Sequence, residues 1–113
     1  MVVASGGTIT SLVWCVVGEW GQGTLHVDGG DITIDDFFAV GWNNDSRAAG
    51  TVQIDSGTMT VADEYFHGRL YTSAVGTHRT YVAGGTLTVG TLDLDGQNNV
   101  SGLDSILDVS GDG

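Results

Sequence analysis

The side chains best suited to chemistry fall in one stretch, Asp63, Glu64, His67, Arg69 and His78. Two carboxylates flanking a glycosidic bond can act as acid and base or as acid and nucleophile. Histidine can move protons near neutral pH. The surroundings weaken this reading. The chain has no lysine, its basic side chains are Arg47, Arg69 and Arg79, and the short stack inferred below offers little cleft. No catalytic residue is assigned and enzymatic activity is not expected; a polysaccharide-active enzyme is the second alternative. His67 and His78 have no Cys or His partner at a metal-ligand spacing. His26 occupies an outward strand position where later repeats place Gln53 and Val82, and reads as a surface residue. Cys15 lies between Trp14 and Val16 and reads as a buried, inert thiol.

Acidic clusters raise calcium as a structural ion. Asp93 and Asp95, with Gln97, Asn98 and Asn99, form DLDGQNN, which lacks the spacing and final Glu of an EF-hand loop. The chain also lacks the glycine-aspartate nonapeptide of calcium rolls. Asp35, Asp36, Asp63 and Glu64 fall at one corner of successive repeats, where like charges repel unless water or a cation intervenes. Solvated turns account for these residues, and no cofactor is expected.

Two binding surfaces are candidates. Thr8, Thr10, Thr33, Thr58, Thr60, Thr86 and Thr88 form an outward double file, with Asp31 in the place of one threonine. A regular T-x-T array resembles the ice-binding face of some β-solenoid antifreeze proteins, although threonine also favours solvent-facing strands. Trp20, Trp42 and Tyr71 gather at one loop edge, while Trp14, Phe37, Phe38, Tyr65 and Phe66 lie in or near one strand position. Aromatics beyond what a core can bury leave a patch fit for a protein or a sugar. A carbohydrate- or ice-binding module is therefore the first alternative function.

Composition limits the partners. The 113 residues carry 14 carboxylates against three arginines, a formal charge of −11. Nucleic acid is excluded as a partner, since affinity for it rests on Lys and Arg displacing counterions, and docking on anionic lipid is disfavoured. No apolar run approaches the roughly 18–20 residues of a membrane helix. MVVASGG has no basic region leading into an apolar stretch and does not read as a signal peptide. A removed leader or a longer parent chain is the corresponding expectation. The single cysteine forms no internal disulfide.

The elements that position these residues follow from a repeat. GGTIT at 6–10 returns as GGDIT at 29–33, SGTMT at 56–60 and GGTLT at 84–88, with steps of 23, 27 and 28 between Gly7, Gly30, Gly57 and Gly85. Between the 19 glycines, apolar and polar residues alternate with the period of a strand, and no helical spacing competes. Four inward columns are expected: Ala4, Val27, Ile54, Val82 and Val109; Ile9, Ile32, Met59 and Leu87; Ser11, Ile34, Val61 and Val89; and Val16, Ala39, Phe66 and Leu94. Corner glycines recur at Gly18, Gly41, Gly68 and Gly96.

The pattern predicts an all-β, parallel β-solenoid in one domain spanning 1–113, with three short strands in each of about four coils. Coils are expected at about 1–22, 23–49, 50–79 and 80–104, with a partial fifth from 105 to 113. Right-handed winding is the default for parallel crossovers. A meandering antiparallel sandwich is the competing architecture, but it gains nothing from repeating like residues in register.

The coils GTLHVDGGDITIDDFFAVGW and GTVQIDSGTMTVADEYFHGR resemble those of bacterial surface and secreted β-helix proteins. These include autotransporter passengers and solenoids carrying a sorting tail of the PEP-CTERM kind. The likeness covers about residues 1–96. It implies an extracellular or cell-surface role in adhesion, scaffolding or biofilm, and carries over no catalytic residue.

The period runs on into LDVSGDG at 107–113. A partial coil leaves strand edges that another copy can pair, so self-association is expected through Val2, Val3 and Ala4 on one side and Leu107 and Val109 on the other. The sequence thus predicts a structural or adhesive protein that assembles end to end, with itself as principal partner and polysaccharide as another.

Overall fold

The computed structural model describes residues 2–11, 13–42, 49–68, 77–94 and 104–111, with only the backbone described at 2–5, 11, 104 and 105. Its nine strands are β1 (Val2–Ser5), β2 (Thr8–Ser11), β3 (Cys15–Val17), β4 (Gln22–Ile34), β5 (Phe38–Val40), β6 (Ala49–His67), β7 (Thr77–Val82), β8 (Thr86–Asp93) and β9 (Asp104–Val109). They form one curled sheet, and every described strand pairing is parallel. The all-β, parallel expectation is met, and the antiparallel sandwich is contradicted.

Pairing runs in three ladders. The first orders β1, β4, β6, β7 and β9; the second orders β2, β4, β6 and β8; the third orders β3, β5, β6 and the end of β8. Like falls on like. Ala4 pairs Val27, Val27 pairs Ile54, Ile54 pairs Val82 and Val82 pairs Val109. Ile9, Ile32, Met59 and Leu87 follow one another in the second ladder, as do Ser11, Ile34, Val61 and Val89. Each inner strand gives its backbone N–H and C=O groups to the strands before and behind it, leaving few to satisfy elsewhere.

Two corners differ from the short strands the sequence predicts. β4 and β6 run through theirs without a break, bending at register shifts around Asp28 and between Val61 and Glu64. Gly29 and Gly57 make the first corner possible, with φ of 85° and 87° that side chains with a Cβ rarely adopt.

The core lies inside the curl. Leu25, Val27, Ile32, Ile34, Val52, Ile54, Met59 and Val61 are buried together with Phe38, Val40 and Tyr65. The fourth expected column is corrected here. Val16, Ala39 and Phe66 do pair in sequence, but the next partner is Asp93 and not Leu94. Ala39 and Phe66 are buried, at 0% and 1% exposure, but lie outside the main core cluster, which takes Phe38, Val40 and Tyr65 from the neighbouring positions. The inward column is Cys15, Phe38, Tyr65 and Leu92. A slip of one residue exchanges the faces of a strand.

Candidate functional site

The fold separates the residues that sequence grouped for catalysis. Asp63 is exposed and Glu64 half-buried on the outside of β6, whereas His67 and His78 are wholly buried. Arg69 lies outside the described residues. A carboxylate pair sharing a groove with both histidines is therefore not formed.

The two histidines belong to a polar cluster within the core. Thr80 occupies the inward place that Leu25 and Val52 hold on earlier strands of the first ladder. Its hydroxyl meets the Tyr65 hydroxyl at 2.6 Å and His67 Nε2 at 2.8 Å. The His67 and His78 rings stand edge to face, 6.4 Å apart. The backbone N–H of Gly50 donates to His78 Nδ1 at 3.3 Å. Gly41 makes room for that ring, since a Cβ there would overlap His78 Cε1.

Burial holds His67 well below the ordinary histidine range, at about 4, with the proximity of His78 adding to the effect. Burial likewise pushes the Tyr65 phenol up, partly offset by its bond to Thr80. Both groups are neutral at pH 7 and closed to solvent. Sequence reasoning missed this cluster. The available signal was Thr80, a polar residue interrupting an inward apolar column.

The threonine files are formed as expected. Thr8, Asp31, Thr58 and Thr86 stand in one register, and Thr10, Thr33, Thr60 and Thr88 in the next. Asp31 is joined to its file, accepting the Thr58 hydroxyl at 2.5 Å. The Ser56 hydroxyl donates to Asp28 in the same way at 3.0 Å.

On the first ladder His26 pairs with Gln53, and Gln53 with Tyr81, so Tyr81 and not Val82 completes that outward column. Asp55 accepts from Gln53 Nε2 at 3.0 Å and meets His26 Nε2 at 2.5 Å. These contacts, that of Gln53 foremost, hold its carboxyl below the usual range. Cys15 is partly buried, and desolvation raises its thiol above the ordinary value, which makes it a poor nucleophile.

Aromatic rings cover the outside of the third ladder. Trp14 and Phe37 lie on successive strands with rings 5.7 Å apart and only 4° from parallel. Trp42 comes to 5.6 Å from Trp14 and 5.5 Å from Phe37, within 20° of both planes. Phe66 abuts Phe37 at 5.6 Å. Trp14 is 49% exposed and Trp20, at a corner, is exposed as well; Tyr71 lies outside the described residues. Of the expected loop-edge residues, Trp42 thus packs with Trp14 and Phe37.

Among the described residues no group of three or more His, Cys, Asp or Glu is placed to hold a metal ion. Asp35 and Asp36 are described, whereas Asp95, Gln97, Asn98 and Asn99 are not.

The remaining candidate surface is the pair of stack ends. At one, Leu107 and Val109 of β9 overhang the outer edge of β8, enclosing about 250 Å³ with Val82, Leu87, Val89 and Leu92. At the other, a cavity of about 150 Å³ lies among Ile9, Cys15, Val17, Leu25, Ile32 and Phe38. Val2, Val3 and Ala4 place their backbone on that same edge through β1.

No protein-family model, curated protein or solved structure matches the chain.

Proposed function

We propose that the chain is a parallel β-solenoid of about four coils, with bounds near 1–22, 23–49, 50–79 and 80–104 and a partial fifth beyond. In this reading it is a structural or adhesive building block of an extracellular or cell-surface layer, joined to further copies through its ends. Three ladders that recur at the same steps support the solenoid. The resemblance to bacterial surface β-helix proteins supports the location.

One observation carries the assembly: the inward apolar columns reach the outermost described strands without a covering rung. Ile9 lies 38% exposed at one end, and Val109 57% at the other. Among the described residues, β1, β2 and β3 have no partner on one side of the stack, nor β8 and β9 on the other. Open strand edges over apolar side chains are a template for another strand. The far end is stepped, because the first ladder carries β9 beyond the last strand of the other two. A strand from a second copy laid along β8 would fill the step beneath Leu107 and Val109. The two ends differ, so the contact is head to tail and does not close on itself.

Sedimentation velocity across a concentration series tests this. The parent protein is expected to grow in mass with concentration, and Ile9→Lys and Val109→Lys are each expected to stay monomeric. Mixing the two variants restores one competent junction and is expected to give a dimer that grows no further. A parent that is monomeric throughout, or a mixture that remains monomeric while the parent assembles, would contradict the reading.

A further inference from the structure

We infer that, in the head-to-tail assembly proposed above and on which this depends, copies join by strand exchange: β9 of one copy takes the place of β1 on the next and pairs with its β4.

The number of rungs requires one strand to give way. Among the described residues the first ladder holds five strands and the other two ladders hold four. β1 and β9 lie on the same ladder at opposite ends of the stack. If both stayed in place, the second copy's β1 would stack on β9, and its β2 would stop one rung short of β8. The apolar hollow of about 250 Å³ beneath Leu107 and Val109 would remain, with Leu92 still 42% exposed. Voids of that size are not a feature of packed cores. With β1 displaced, β2 of the second copy lies directly on β8. Ile9 then follows Leu87, and Thr8 and Thr10 continue the two threonine files, in the register these columns keep within one copy.

β9 suits the place better than β1 does. The first arm of β4 presents residues 22–27 as an edge, and β1 meets it only at Leu25, His26 and Val27. β9 has six residues. The register that runs from β9 through β7 and β6 to β4 sets Ile106 on Thr24 and Val109 on Val27, so all six find a partner. Leu107 then falls on Leu25 and Val109 on Val27, both core side chains, where β1 supplies Val2 and Ala4. Asp108 falls on His26, in an outward column that continues through Gln53 and Tyr81. β1 puts Val3 at that position. A carboxylate beside an imidazole is a complementary cross-strand pair, which valine is not. In the isolated chain β1 therefore acts as a plug over part of the β4 edge, and assembly lifts it.

Cysteine cross-linking in assembled material tests the exchange. Paired strands stand about 4.8 Å apart, within the roughly 4.4–6.8 Å between Cα atoms that a disulfide spans. Asp108→Cys protein is mixed with either His26→Cys or Val3→Cys protein, assembled and oxidised, and the linked peptides are identified by mass spectrometry, which separates any link through Cys15. Position 108 is expected to link to position 26 and not to position 3. A link to position 3, or to neither while the mixtures assemble, would overturn the exchange and leave self-association standing. A second variant carries Val3→Cys and His26→Cys together, so that oxidation fastens β1 to β4 within one chain. Its oxidised form is expected to lose assembly in sedimentation velocity and to regain it with dithiothreitol. Assembly undiminished by the lock would also overturn the exchange. A parent protein monomeric at every concentration would overturn self-association itself, and the exchange with it.

Discussion

The middle of the stack and its ends are built from the same columns, yet they differ in everything that burial controls. Val27 and Ile54 have no solvent exposure and Val82 has 4%, while Val109, the last of that column, has 57%. Met59 is fully buried and Ile9 is not. Residue type hardly changes along either column. Burial here is conferred by the strands before and behind, so an end rung becomes a middle rung only when something stacks on it.

This contrast is most sharply broken by changing glycines. At Gly41, an added methyl must accept φ of 79° and displace the buried His78 ring. Gly41→Ala is expected to cost about 4 kcal/mol. Gly7, near one end, has open space where a methyl would stand, with nothing within 4 Å of it, and Gly7→Ala is expected to stay within about 0.5 kcal/mol. Urea unfolding of both variants checks the difference, and equal losses would deny that the rungs differ.

Truncation within one column is the next test. Ile54→Ala is expected to cost about 3 kcal/mol through lost transfer energy and a cavity. Val109→Ala is expected to cost less than about 1 kcal/mol in the monomer, since much of that side chain is already in water. Measured in assembled material, the Val109 cost should rise as its neighbour covers it.

The smallest effect concerns pH. His67, surrounded by Tyr65, Thr80 and His78, is held at about 4 in the folded protein. The unfolded chain takes up that proton near the ordinary value of about 6.5. Stability is therefore full above about 6.5 and falls as the pH drops towards 4, by at most about 1.4 kcal/mol per unit. Melting between pH 6.5 and 5.5 precedes most carboxylate titration. His67→Gln, which retains a side-chain donor for Thr80, should flatten the slope.

Most inward columns of the first two ladders were legible because inner strands such as LHV, VQI, ITI and MTV carry apolar residues on one face only. ITI and MTV allow one assignment of inside and outside. The third ladder was not legible in this way. WCVV, FFAV and EYFH offer apolar residues on both faces, so alternation alone does not say whether Phe38 or Ala39 points inward. The structure uses Phe38 for the core, while Phe37 stacks with Trp14 and Trp42 and Phe66 abuts Phe37. The surplus of aromatics at this strand position was legible, but the same ambiguity left open which of the rings lie outside the core. The histidine cluster was hidden for another reason. His67 and His78 were grouped by sequence with Asp63, Glu64 and Arg69, and only the 28-residue step from Val52 to Thr80 puts a hydroxyl in the core within reach of His67.

Electron microscopy of the purified chain over a rising concentration series tests most directly whether the end rungs are unfinished middle rungs. The account predicts unbranched rods of constant width that lengthen with concentration and are absent from Ile9→Lys and from Val109→Lys. Small particles of one size at every concentration of the parent protein would contradict it.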